Sequence, residues 1–106
     1  MRKSALFALV ILAGLSVGAL AANLTISQKG RMFSSESVTI KKGETITFVN
    51  DDTVPHNIIS ISKGNEFNLG SQSPGVSTDV TFKEVGEAQV ICAIHPRMKL
   101  IVKVTD

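Results

Sequence analysis

Apolar and polar residues alternate with a period of two along most of the chain after residue 22. Leu24 and Ile26 alternate with Thr25 and Ser27, Val38 and Ile40 flank Thr39, and Ile46 and Phe48 alternate with Thr45 and Thr47. Val80 and Phe82 alternate with Asp79 and Thr81. Leu100, Val102 and Val104 alternate with Lys103 and Thr105, and Ile101 breaks the polar side once. Successive side chains of an extended strand point to opposite faces, so this pattern predicts strands with one face buried. Their β-branched residues suit a pleated surface. Turn formers lie between them. Lys41-Lys42-Gly43-Glu44 predicts a short hairpin, Asn50-Asp51-Asp52 ends a strand, residues 62–75 form the longest irregular stretch, and Glu84-Val85-Gly86-Glu87 is a further turn. No segment holds a helical period for more than about two turns. About seven short strands at this spacing point to an antiparallel sandwich or a Greek-key barrel.

The first residues follow a different rule. Arg2 and Lys3 precede an apolar run from Ala5 to Val17, and Ala19-Leu20-Ala21 offers a small-x-small cleavage site. Residues 1–21 therefore read as a secretory signal, cleaved after Ala21, with a single domain over 22–106. An uncleaved membrane anchor is the competing reading, because about 18 apolar residues can span a bilayer. Gly14, Ser16, Gly18 and the cleavage pattern argue against it. The expected location is periplasmic or otherwise exported, with no stable membrane insertion once the signal is gone.

Composition narrows the function further. The 106 residues carry 11 Lys and Arg against 9 Asp and Glu. Without Arg2 and Lys3 the two signs balance, so no nucleic-acid partner is expected. A hydrophobic content of 43% excludes global disorder, and one Cys excludes an internal disulfide. A domain this small has a thin margin of stability, and a bound metal is the remaining staple.

Candidate ligands for such a metal crowd together. Cys92-Ala93-Ile94-His95-Pro96-Arg97-Met98 places a thiol, an imidazole and a thioether at spacings of three. Pro96 excludes a normal helix through this segment, so it reads as a tight loop between two strands. The other histidine, His56, precedes a strand and is expected to reach the same point from the facing sheet. Two imidazoles and a thiolate with a weak axial Met suit copper and electron transfer, whereas structural zinc usually gathers four strong ligands. Taken singly, each of these residues more often has an ordinary role, the Cys and Met as apolar filler and the His as a satisfied polar group. A Cys/His catalytic dyad would need a pocket and an orienting partner, for which a domain of this size offers little room. No enzyme activity is expected.

Val54-Pro55-His56-Asn57 followed by Cys92-x-x-His95-x-x-Met98 resembles the type 1 blue copper proteins, the cupredoxins. The short gap between His95 and Met98 is most similar to amicyanin; plastocyanin and pseudoazurin carry a longer one. Lys42 to Asn50 resembles the family's strand before the first ligand, and residues 75–86 its strand and turn before the Cys. The resemblance implies an all-β Greek-key β-sandwich of about 7–8 short strands. It implies one mononuclear copper held by His56, Cys92 and His95, with Met98 axial, and Asn57 tethering the two ligand-bearing loops. It also implies an exported one-electron carrier between a donor and an acceptor, such as a dehydrogenase or a c-type cytochrome, acting as a monomer. A copper-trafficking or storage module on the same fold is the alternative. The sequence departs from the family at Val90, where many relatives carry an aromatic residue, and at Arg97, where a bulky apolar residue is usual. The short chain also predicts a reduced strand at the N-terminal edge. Val54, Pro55 and Pro96 are expected to form an apolar patch around an exposed His95, and Arg97 beside it reads either as a solvated loop cation with no role or as a steering charge.

Overall fold

A computed structural model describes residues 23–106, so the expected signal over 1–21 lies outside the described residues. Nine strands follow in order: β1 (Asn23–Lys29), β2 (Met32–Phe33), β3 (Ser37–Lys41), β4 (Thr45–Asn50), β5 (Ile58–Ser60), β6 (Phe67–Asn68), β7 (Ser77–Thr81), β8 (Gly86–Cys92) and β9 (Lys99–Thr105). They form two sheets, β2-β1-β4-β7 and β3-β9-β8-β5-β6, and no helix is present among the described residues. The all-β sandwich agrees with the sequence pattern. Two neighbouring pairs are parallel, β1 with β4 and β3 with β9.

The alternation settles which side chains meet. Leu24 stands opposite Ile46 and Ile26 opposite Phe48 across β1 and β4, while Ala88 faces Val102 and Val90 faces Leu100 across β8 and β9. Ile26, Ile46, Phe48, Ala88, Val90, Leu100 and Val102 are all buried. Four phenylalanines tie the sheets together. Phe48 lies 6.4 Å from Phe33 and 6.1 Å from Phe67, and Phe67 lies 5.9 Å from Phe82 at a near-perpendicular angle. The Phe33–Phe48 and Phe67–Phe82 pairs meet edge to face, a geometry that adds to the burial energy.

Three expectations need correction. Residues 41–44 do not close a hairpin, because β3 and β4 belong to different sheets. Lys42 N–H donates to the Thr105 carbonyl at 2.7 Å, and Gly43 N–H donates to the Phe82 carbonyl at 2.8 Å. The turn therefore bridges the two sheets. The first strand is not reduced: β1 has seven residues and lies inside its sheet, between β2 and β4. The third correction concerns His56. It precedes β5, which pairs with β8 in the same sheet, so His56 and Cys92 come from adjacent strands and not from facing sheets.

Candidate metal centre

The inward face of β8 runs Ala88, Val90, Cys92, which brings the thiol to the edge of the core with only 1% exposure. Ile58 of β5 stands directly opposite Cys92, so the residues just before β5 approach the sulfur. Asn57 N–H donates to Cys92 Sγ at 3.3 Å, and the Asn57 carbonyl accepts from Ala93 N–H at 2.8 Å. Beyond Cys92 the chain turns tightly: Met98 N–H donates to the His95 carbonyl at 2.9 Å, and Cys92 N–H donates to the Met98 carbonyl at 3.4 Å. This closure returns Met98 to the interior at 1% exposure and leaves His95 half-buried at the surface.

His56 is held more firmly. Two backbone bonds pair it with Gln72, His56 N–H to Gln72 O at 3.1 Å and Gln72 N–H to His56 O at 2.7 Å. The Asn50 side chain donates to the carbonyls of Val54 and Gln72, and its own oxygen accepts from Asp52 N–H, which shapes the loop leading to His56. The imidazole is fully buried. Its Nε2 lies 3.0 Å from Asp52 Oδ2. Donation from Nε2–H to that carboxylate leaves Nδ1 free as a metal donor, the usual way in which an outer carboxylate sets a ligand's tautomer.

The three donor atoms converge. His56 Nδ1 lies 3.0 Å from His95 Nδ1, and Cys92 Sγ lies 3.6 Å and 3.7 Å from them. Donors each about 2.0–2.3 Å from one ion are separated by roughly these amounts. All three fall within 4.8 Å of one another, which fits a single mononuclear metal. One thiolate and two imidazoles, with the thioether of Met98 buried beside the loop, make a soft donor set that fits copper better than calcium or magnesium.

The profile of copper-binding proteins of the plastocyanin/azurin family matches residues 20–105. The chain belongs to this family. His56, Cys92, His95 and Met98 are arranged in it as a type 1 copper site. Amicyanin of Paracoccus versutus is 32% identical over 71 residues, which cover 63% of this chain and 53% of that protein, so the match spans about half of the relative's length. Among solved structures, a purple cupredoxin from Nitrosopumilus maritimus superposes with a TM-score of 0.69 at 30% identity, covering 77% of this chain and 99% of the other. A copper-containing nitrite reductase from Thermus scotoductus gives a TM-score of 0.73 at 28% identity, over 80% of this chain but only 23% of that enzyme. The similarity thus takes in nearly the whole of a small cupredoxin and one part of a larger enzyme.

The structure adds residues that sequence reading missed. Asp52 was legible only as a turn former, yet its side chain is just 11% exposed and bonds His56. Hydrogen bonds from Arg31 N–H, the His56 ring and Thr53 N–H hold its carboxyl well below the usual carboxylate range. Asn57 meets the Cys92 segment through its backbone, while its side-chain amide donates to Asn68 Oδ1 at 2.9 Å. Beside His95 the exposed apolar groups are Met32, Ile94 and Pro96.

Proposed function

We propose that this protein is an exported one-electron carrier, in which His56, Cys92 and His95, with the thioether of Met98, would hold one copper. Bound copper supplies a Cu(II)/Cu(I) couple. The observation that carries the reading is the division of labour between the imidazoles. His56 is fully buried and anchored by Asp52, whereas His95 reaches the surface from a loop. The buried ring fixes geometry, and the surface ring offers an edge at which a partner can approach within electron-transfer distance.

The remaining contacts hold the donors in place. Asn57 N–H to Cys92 Sγ stabilises the thiolate and fixes its direction. The Asn57–Ala93 backbone bond tethers the two ligand-bearing segments. Donors prearranged in this way need little movement when the charge at the site changes by one, which keeps the barrier to transfer low. The carrier acts as a monomer between a donor and an acceptor, through small interfaces that part quickly. Copper delivery on the same fold is less favoured, because Cys92, His56 and Met98 are all buried and poorly placed for ligand exchange.

Voltammetry of the copper-loaded protein tests the reading. One reversible one-electron wave that survives repeated cycling is expected. Loss of copper on reduction, or an irreversible wave, would overturn the carrier assignment.

A further inference from the structure

An open groove of about 610 Å³ runs beside His95, between residues 30–32 and residues 94–97. We propose that this groove is a preformed docking site for an acidic redox protein, with Arg31 and Arg97 as its carboxylate-binding residues. The proposal rests on the electron-carrier reading and names the class of partner for that site.

Charge complementarity selects the occupant. Arg31 and Arg97 are the two arginines of residues 23–106, and both line this groove. Both are exposed, and neither enters an ion pair among the described residues. Lys99 follows in the adjoining surface depression. A guanidinium offers a planar fork that matches a carboxylate in a bidentate manner. Nearby acidic groups are few. Glu36 lines the adjoining depression with Arg97, Asp51 is exposed, and Asp52 is turned inward with Oδ2 already bonded. Basic and acidic residues balance over 23–106 with both arginines counted, so the positive field belongs to this face and not to the whole domain. Met32 at 64% exposure and Ile94 at 53% supply an apolar floor between the charges.

The backbone indicates that the site is built in advance. The two-residue turn from β1 to β2 has Gly30 at φ 61° and Arg31 at φ 57°, and Arg31 is the one non-glycine with positive φ among the described residues. Asn or Gly would adopt this conformation with less strain. Arg31 N–H donates to Asp52 Oδ2 at 2.8 Å, to the same oxygen that bonds His56. The hairpin tip is therefore latched to a ligand-bearing loop, and both walls of the groove are fixed relative to the metal centre. A preformed face lowers the ordering cost of a short-lived complex.

The test separates docking from electron transfer. The isotopically labelled, copper-free protein is titrated with cytochrome b5, an acidic haem protein, and with the basic mitochondrial cytochrome c. Chemical-shift changes with cytochrome b5 should centre on residues 30–32 and 94–97. Binding should weaken about tenfold in the R31Q/R97Q variant and fade as salt rises from ~10 mM to ~0.5 M. R97Q alone, at an exposed side chain, should show part of the loss if the double variant proves unstable. K63Q/K83Q removes the same charge at the other end of the sandwich and should bind as the parent does. In the copper-loaded protein, one electron passes from haem Fe(II), leaving Fe(III), to Cu(II), leaving Cu(I), and its second-order rate should follow the same order. Equal binding of both cytochromes, shifts elsewhere, or indifference to R31Q/R97Q would overturn the proposal while leaving the voltammetric test of the carrier untouched. Arginine-dependent sedimentation with phosphatidylserine vesicles, without cytochrome b5 binding, would overturn it in favour of a membrane surface.

Discussion

Asp52 joins the β1–β2 turn to the buried ligand candidate His56. One oxygen takes both Arg31 N–H and His56 Nε2–H, and the other takes Thr53 N–H at 2.9 Å. Each donor favours the ionised carboxylate, so its folded value is depressed. A depressed value means that the carboxylate stabilises the fold fully above the unfolded value of 3.8, and that this contribution fades as pH falls below it. Melting temperatures of the metal-free protein, measured between neutral pH and pH ~3, should begin to fall below pH ~4 for the parent. For Asp52→Asn they should start lower and fall less. Parallel curves would show that Asp52 has no such role. The same residue shows where sequence reading stopped. Cys92, His95 and Met98 were legible because they share a short loop around Pro96, and His56 because it is the other histidine. Asp52 was not, because its partners lie on β1–β2 and at His56, and spacing alone does not reveal a carboxylate turned inward.

At the scale of elements, the strands were readable because alternation is a local property, and the pairing was not. The Lys41–Glu44 segment looks like a hairpin turn from its composition. It becomes a bridge between sheets only through bonds to Thr105 and Phe82, some 40 to 60 residues away. β2 and β6 have two residues each, too few to show a period. The Gly30-Arg31 turn lacks the Asn-Gly or Asp-Gly signal that marks such hairpins. The aromatic chain through β2, β4 and β6 also emerges only on folding, and Phe48 is at its centre with no exposure. Phe48→Ala should cost about 3–5 kcal/mol, against roughly 5–15 kcal/mol for a whole small domain. Metal-free Phe48→Ala should therefore melt about 12–40 °C below the parent. Copper, binding only the folded form, should recover about 4 kcal/mol when free copper exceeds Kd ~1,000-fold. Thermal melts with and without copper check both parts; no rise on copper addition would contradict the account of the metal as a staple.

At the scale of the whole molecule, the sandwich serves to bring three donors to one end and keep them there. β8 delivers Cys92 from the core, β5 holds the segment after His56 against it, and the loop before β9 returns Met98 inward. The hairpin tip and the ligand loop frame His95 where the site meets solvent. Family membership was legible in the ligand motif, while the groove and its latch needed the fold. The central claim is that these residues hold one copper through the Cys92 thiolate. Titration of the purified protein with Cu(II), followed by absorption, tests it most directly. The account predicts an intense blue band that saturates at one copper per chain, bleaches on one-electron reduction, returns on oxidation, and is absent from Cys92→Ser. A colourless copper complex, or a Cys92→Ser variant that stays blue, would contradict it.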